Sequence, residues 1–324
     1  MTQKSLEDQL IWLLEVSRQM LATRDLSQLL TLVADSFLHV TNTRRAFVML
    51  RDRKTGVLVQ RVGRDADGGH VEHSDNLVAS VNTRVFNEGK GVFETNTQDH
   101  QSNSERFVVC LPLINAGETI GTLYGDAPCG DGYDAPNGER RPIHMLADHV
   151  AVAIENARMF ERATNDPLTG LPNSSYFLLE LAKVMRGSRT GSEGGLVLLD
   201  IDSFKRVNTV GGAEVGDQAL IDIAGTLQEV LRADGLVARY GSDKFAVLLP
   251  PDPALSIHVR LRDVAERARA CVAAKTYHGV SLSACLGGLS FSNDTVESAP
   301  DLVAIADDAL AKARQRGESE VEII

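Results

Sequence analysis

Two acidic residues could bind a metal ion: Asp200 lies where a carboxylate is costly to bury without a partner, and Asp243 lies where a predicted tight turn leaves the sheet. Asp200 follows the apolar run LVLL, which is typical of a buried strand, and Asp243 lies at the tip of the predicted hairpin LVARYGSDKFAVLLP. A buried carboxylate needs water, hydrogen-bond donors or a cation. If the two strands are neighbours, the two side chains converge, and such hard oxygen ligands suit Mg²⁺ bound to phosphate.

Three further polar residues, Lys205, Asn208 and Asp217, follow the acidic pair Asp200 and Asp202. Asn and Asp side chains can hydrogen-bond to the polar edge of a base, and Lys can contact a phosphate. Taken singly, each is more often a solvated turn residue, and an Asp at a hairpin tip is a common turn former. Together they favour a nucleotide site beside the carboxylates.

The composition is that of a two-domain globular protein. The chain has 324 residues, 43% of them hydrophobic, and 33 basic against 44 acidic side chains give a net charge of −11. An acidic chain is a poor candidate for binding duplex DNA, so we expect no DNA partner. The four cysteines form no CxxC pair, so neither a zinc ribbon nor a disulfide framework is expected. Acidic residues near the N-terminus and the lack of a long apolar run predict a cytoplasmic protein without a membrane span.

Hydrophobic periodicity predicts the elements of the first half. We expect helix from Ser5 to about Val40, then a hairpin, a loop-rich stretch from Gly63 to Ser104, a second hairpin, and a long helix starting at Pro142. This order, with the FVVCLPL and IGTLYGD strands, resembles a GAF domain at residues 1–141. The resemblance implies an antiparallel sheet with helices and names no ligand. We interpret Cys110, inside a strand, as a core residue.

The long helix, residues 142–164, carries apolar residues at spacings of three and four. One interpretation is a parallel two-stranded seam in a homodimer, and the other is packing on the sheet of its own domain. The apolar residues concerned are Ile143, Leu146, Val150, Ala153, Ala157 and Phe160.

From residue 165 onward, strands flanked by amphipathic helices predict a sheet with helical cover, which is an α/β (α+β) fold. Five motifs resemble successive landmarks of a GGDEF domain, the diguanylate cyclase fold that joins two GTP molecules across a homodimer. They are DPLTGLPN, DIDSFKRVN, VGD, RYGSDKF and ADDALAKARQRG. We therefore expect three segments: residues 1–141, the linking helix 142–164, and a GGDEF domain at 165–324.

The resemblance assigns roles position by position. It implies a metal site for Mg²⁺ and a site for GTP, with Asp243 also activating the 3′-hydroxyl. The metal ligands would be Asp200, Asp243 and the carbonyl of Ile201, and the GTP contacts would be Lys205, Asn208, Asp217, Gly241 and Arg314.

Three residues depart from the pattern on the phosphate and metal side. Ser242 replaces a glycine that lets the backbone approach the nucleotide, Lys244 replaces an acidic residue, and Glu318 replaces an arginine. Because each disturbs metal or phosphate binding, we interpret the domain as degenerate: it binds GTP or a partner protein without efficient turnover. The alternatives are an active diguanylate cyclase with an atypical signature and a pure dimerisation scaffold.

The family's inhibitory product site pairs an Arg with an Asp three residues later. Here Arg232 is retained, but Gly235 occupies the acidic position and Asp234 comes one residue early. Recognition of a guanine edge by an Arg and a carboxylate depends on geometry, so this site is interpreted as a remnant.

Overall fold

The structure is a computed structural model that describes residues 6–72, 76–99, 104–129, 140–187, 193–292 and 298–324. It divides into two compact units, with the boundary between Glu161 and Arg162. Each unit has its own sheet and its own core, and each is described by itself.

The first unit is a five-stranded antiparallel sheet with strand order β2-β1-β5-β4-β3. Its elements are α1 (Leu6–Ala22), α2 (Leu26–Thr41), β1 (Arg45–Arg51), β2 (Leu58–Asp65), α3 (Asn76–Glu88), β3 (Val92–Asp99), β4 (Ser104–Asn115), β5 (Glu118–Pro128) and α4 (Arg141–Thr164). The two predicted hairpins, β1–β2 and β4–β5, are confirmed. So is most of the N-terminal helical region, which a break at residues 23–25 splits in two.

Local chemistry explains that break. The Asp25 side chain accepts a hydrogen bond from the backbone N–H of Gln28 at 2.8 Å and so caps the start of α2. The helix ends at Asn42, which adopts the left-handed conformation with a φ of 51°. One apolar segment of the sequence therefore becomes two helices.

The prediction of a loop-rich stretch from Gly63 to Ser104 is wrong for most of its described residues. The stretch contains α3, whose buried side chains include Val78, Val81 and Val85, and then β3. These valines recur at helical spacing, but the polar residues between them and the weak helix propensity of Val, Asn and Thr hide the pattern. Packing against Phe47 and Tyr124 of the sheet makes the segment helical.

The apolar stripe of α4 packs within its own unit. Ile143, Leu146, Val150, Ala153 and Ala157 are all buried, in one core with α1, α2 and the sheet. Of the two interpretations of this stripe, packing on the sheet of its own domain is therefore confirmed. A seam between two copies would have to use another face of the helix.

The second unit is a five-stranded mixed sheet with strand order β12-β11-β6-β8-β7, which leaves β6 in the centre. Its elements are α5 (Ser174–Gly187), β6 (Gly194–Ile201), α6 (Lys205–Gly211), α7 (Ala213–Leu231), β7 (Leu236–Arg239), β8 (Lys244–Leu249), α8 (Ile257–Ala273), β9 (Thr276–Tyr277), β10 (Val280–Ser281), β11 (Ala284–Phe291), α9 (Ala299–Arg316) and β12 (Val321–Ile323). The prediction of a helix-covered sheet is confirmed. The short elements α6, β9 and β12 were not predicted.

The two faces of this sheet carry different helices. Val197 and Leu199 of β6 pack in one core with α7 and α8, whereas Leu196 and Leu198 pack in a second core with α5 and α9. Because side chains alternate along a strand, Asp200 belongs to the face covered by α5 and α9.

None of the helices in the described part of the chain is both long and apolar enough to cross a bilayer.

Candidate functional site

The Asp200 carboxylate is the buried centre of the site. It lies near the end of the central strand and its side chain is only 2% exposed. Burial raises the pKa of Asp200 to about 6; nearby Arg314 opposes this, while the negative charge of Asp243 adds to it. Such a carboxyl requires a cation to remain ionised at low cost.

Lys244 provides one of these cations. It lies directly opposite Asp200 in the antiparallel β6–β8 pair, so both side chains are on the same face of the sheet. Its Nζ is 3.9 Å from Asp200 Oδ2 and donates a hydrogen bond to Asp307 Oδ1 at 2.7 Å. At ~4 Å and an effective dielectric near 20, one such charge pair is attracted by about 4 kcal/mol before desolvation. Within the described residues, Lys244 forms its ion pairs with Asp200 and Asp307 rather than with the neighbouring Asp243.

Arg314 provides the other cation. Its guanidinium forms an ion pair with Asp200 Oδ1. That oxygen accepts no hydrogen bond of regular geometry in the described residues, so the contact is ionic only. The resemblance implies that Arg314 contacts phosphate, whereas here it is paired with the carboxylate assigned to the metal.

The position of α9 depends on a glycine of the sheet. A Cβ on Gly287 of β11 would lie 2.2 Å from the backbone nitrogen of Leu310, so α9 packs backbone to backbone on the strand. Asp307 and Arg314 are seven residues apart on this helix and share one face. Close packing of α9 therefore places both Asp307 and Arg314 near the end of β6.

The signature turn, residues 241–243, is fixed beside Asp200. The backbone N–H of Ile201 donates to the carbonyl of Asp243 at 3.2 Å, which joins the turn to the end of β6. The Ser242 hydroxyl donates to Asp243 Oδ1 at 2.7 Å. Strands β6 and β8 are neighbours, which the predicted convergence of Asp200 and Asp243 requires. One carboxylate oxygen of Asp243, however, already accepts a hydrogen bond from Ser242.

Arg239 stabilises the signature turn through hydrogen bonds to its backbone. Its guanidinium donates to the carbonyl of Ser242 at 2.7 Å and to that of Gly241 at 3.2 Å. A third bond, at 2.9 Å, reaches Asp166 in the segment DPLTGLPN. This explains why that distant segment belongs to the site: it anchors the residue that shapes the turn.

The residues assigned to the guanine base lie on α6 and α7. A Cβ on Gly216 would lie 1.8 Å from Asn208 Oδ1, so the amide of Asn208 rests against the backbone immediately before Asp217. Asn208, Asp217 and Lys205 are all exposed. This side of the site therefore presents polar groups to solvent at the place where the resemblance expects a base.

Glu318 lies beside the turn between β6 and α6. Ser203, in the left-handed conformation with a φ of 53°, donates from its hydroxyl to Glu318 Oε1 at 3.1 Å. A carboxylate thus lies next to the segment that leads to Lys205. Asp202 has a structural role instead: its carboxylate accepts from the Ser283 hydroxyl at 2.7 Å and from the Ser319 N–H at 2.9 Å.

In the remnant of the inhibitory site, the retained Arg and the displaced Asp have different surroundings. Arg232 is exposed, whereas Asp234 pairs with Arg267 at 2.9 Å. A Cβ on Gly235 would lie 2.0 Å from the carbonyl oxygen of Leu248, so this backbone leaves no room for a side chain there. The acidic half of the pair cannot be restored by one substitution without moving β8.

The residues assigned to a metal, Asp200, Asp243 and the carbonyl of Ile201, do not fit Mg²⁺ as they are arranged. Both oxygens of Asp200 face cations, and one oxygen of Asp243 accepts from Ser242. Mg²⁺ demands near-octahedral oxygen ligands and loses its own water reluctantly. It would have to displace Lys244 and Arg314 before it could bind Asp200.

Two family models match the chain. The model described as "Diguanylate cyclase, GGDEF domain" matches residues 163–320, and a GAF domain model matches residues 23–155. The chain therefore carries a GAF domain followed by a GGDEF domain. This confirms the resemblance drawn from the motifs and the fold class expected for both halves.

Similar proteins include two curated diguanylate cyclases. Diguanylate cyclase DgcP of Pseudomonas aeruginosa is 38% identical over 193 residues, which is 56% of this chain and 28% of that protein. Diguanylate cyclase A of Treponema denticola is 30% identical over 220 residues, which is 66% of this chain and 58% of that protein. The matched regions thus span less than two thirds of either relative.

One solved structure supports the fold alone. It is the coiled coil and GGDEF domain of DgcB from Caulobacter crescentus in complex with c-di-GMP, 24% identical, with a TM-score of 0.50. The match covers 57% of this chain and 97% of that one.

Proposed function

We propose that this protein acts in cytoplasmic cyclic di-GMP signalling, through a GGDEF domain that binds a guanine nucleotide without efficient turnover. In this proposal the nucleotide-bound GGDEF domain passes on the signal by binding a partner protein. The GAF domain controls the chain or dimerises it. The family and its curated relatives support the pathway. The absence of turnover rests on this chain's own residues.

One observation carries the proposal: the Asp200 carboxylate lies between Lys244 and Arg314. Cyclisation needs a metal ion bridging the phosphates, an in-line 3′-oxygen and positive charge for the leaving pyrophosphate. Here the carboxylate that would hold the metal is neutralised by the protein itself. Glu318 adds negative charge near the segment that leads to Lys205, the residue assigned to a phosphate. Asn208 and Asp217, the residues assigned to the guanine base, are exposed to solvent.

The test is incubation of the purified protein with GTP and Mg²⁺, followed by mass spectrometry of the products. We expect no cyclic di-GMP above a metal-free blank. The matched variant combines Ser242→Gly, Lys244→Glu and Glu318→Arg, which restores the family residue at each altered position, and we expect it to form product. Product from the unaltered protein would establish the active-cyclase alternative, and an inactive triple variant would show that these three residues do not by themselves account for the missing turnover.

Calorimetry with a non-hydrolysable GTP analogue separates nucleotide binding from a pure scaffold. We expect binding heat that is lost on Asn208→Ala and on Asp217→Ala, because both side chains lie where the base is expected. An absence of heat from the unaltered protein would leave only the scaffold alternative.

We further propose that the chain forms a homodimer through the outer face of α4. Met145, Val152 and Met159 are exposed there at intervals of seven residues, the spacing of one heptad position. Helix α1 lies alongside, since the Ser17 hydroxyl is 2.6 Å from His149 Nδ1. It adds a second exposed apolar row, Ile11, Leu14 and Leu21.

A further inference from the structure

The backbone of the sheet and of α9 determines the positions of Lys244 and Arg314 beside Asp200. Lys244 is fixed opposite Asp200 by the register of two central strands, and Arg314 is fixed by the backbone contact of α9 with Gly287. The side chain of Asp200 is 2% exposed, whereas Lys244 and Arg314 are 30% and 45% exposed. Each cation thus has one side on the buried carboxylate and another side open to solvent.

Charge in this cluster is close to balanced. Three carboxylates, Asp200, Asp243 and Asp307, gather with two fixed cations, Lys244 and Arg314. An ammonium held between carboxylates neutralises acidic ligands, as a metal ion bound there would. A cation that belongs to the chain also avoids the cost of removing water from a free Mg²⁺ ion.

The resemblance places the nucleotide beside the signature turn, and Lys244 directly follows that turn. A Lys binds phosphate as a point charge, and an Arg can offer two parallel N–H groups. The cluster therefore contains two partly exposed cationic groups that can contact phosphate oxygens. Asp307, exposed and hydrogen-bonded to Lys244, keeps the ammonium oriented before any nucleotide arrives.

We infer that Lys244, assisted by Arg314, replaces Mg²⁺ as the counter-ion of the bound nucleotide, so that this GGDEF domain binds guanine nucleotides without a divalent metal. This rests on the proposed nucleotide binding and adds the identity of the cation. It also explains the departure at position 244. Replacing an acidic residue by Lys244 removes a metal ligand and at the same time supplies positive charge in place of the metal.

The experiment compares GTP binding by the full chain, measured by calorimetry, in buffer with Mg²⁺ and in buffer with EDTA. We expect dissociation constants that agree within about threefold. Lys244→Glu should weaken binding in EDTA by at least about tenfold, and Mg²⁺ should restore it, because two facing carboxylates then offer a metal site.

Lys312→Glu is the matched control, since it makes the same charge change at an exposed position on another face of α9. It should bind GTP like the unaltered chain in both buffers. Thermal unfolding of each variant checks that it is folded, and the comparison on the unaltered chain stands even if Lys244→Glu is not.

The outcomes separate the two proposals. Binding that requires Mg²⁺ would overturn this inference while leaving nucleotide binding intact. No binding in either buffer would overturn both proposals. Equal weakening by Lys244→Glu and Lys312→Glu would show a general charge effect and would also overturn the inference.

Discussion

Arg239 and Asp166 form a half-buried ion pair, 2.9 Å long, that connects the start of the GGDEF domain to its signature turn. The two residues are 73 positions apart in the sequence. Burial alone would raise the pKa of Asp166, but hydrogen bonds from Arg239 and from Thr169 outweigh it and lower the pKa below its ordinary value. The pair therefore stabilises the fold as well as the shape of the turn.

Arg239→Met should lower the free energy of unfolding by about 1–3 kcal/mol, because it removes one hydrogen-bond donor each from Asp166 and from two backbone carbonyls. Urea unfolding at neutral pH measures this. Since the folded-state pKa of Asp166 is the lower one, its contribution is present above the ordinary Asp value of 3.8 and is lost as the pH falls further. The deficit should therefore shrink in acid, and a deficit that is constant with pH would contradict this assignment.

Gly216 offers a way to test the base side without damaging the fold. The three atoms nearest to an added Cβ all belong to the amide end of Asn208, which can move aside, and alanine is favoured over glycine inside a helix by roughly 1 kcal/mol. We expect Gly216→Ala to keep or raise the melting temperature while weakening GTP binding at least about tenfold. The displaced Asn208 is the reason.

Gly225→Ala is the control for that experiment, because Gly225 lies in the same helix with open space around its Cα. It should share the gain in stability and bind GTP normally. If both variants bind GTP equally well, Asn208 does not contact the nucleotide.

The buried carboxyl of Asp200 should make stability depend on pH. Its folded-state pKa is raised to about 6 from an ordinary 3.8, so its contribution is fully present below 3.8 and is lost as the pH rises through about 6. Asp200→Asn removes this titration. In metal-free buffer, the unfolding free energy of the variant relative to the unaltered protein should rise by about 1–3 kcal/mol across that range. A difference that does not change with pH would place the charge of Asp200 in a better solvated environment.

Much of the site could be predicted from the sequence because its residues follow strong local signals. The apolar run before Asp200 and the turn around Asp243 indicated two strands and the carboxylates at their ends. Pairing of β6 with β8 then brings those ends together. The departures Ser242, Lys244 and Glu318 were visible as residue types.

Their partners could not be predicted, because contacts across the fold depend on packing depth and register. That Arg314 pairs with Asp200 follows from how closely α9 approaches Gly287, which no local pattern records. The three-residue strand β12 is too short for any periodicity. In α4 both faces carry apolar residues, so only burial distinguishes the core stripe from the exposed one.

The exposed stripe of α4 gives the last prediction, on oligomeric state. Val152 is 46% exposed, so Val152→Lys should fold normally while placing a charge in the proposed seam. If two chains pair through this face, sedimentation should give the dimer mass for the unaltered protein and the monomer mass for the variant. Val152→Ile keeps the apolar surface and should remain dimeric.

A second control substitutes an exposed valine far along the chain. Val259, on α8, is 65% exposed, and Val259→Lys should leave the mass unchanged. Val150→Lys is unsuitable as a test of the seam, because Val150 is fully buried and the charge would disrupt the GAF core instead. A dimer that survives Val152→Lys would place the contact between chains on a different surface, and a monomeric unaltered protein would remove the dimer from the proposal altogether.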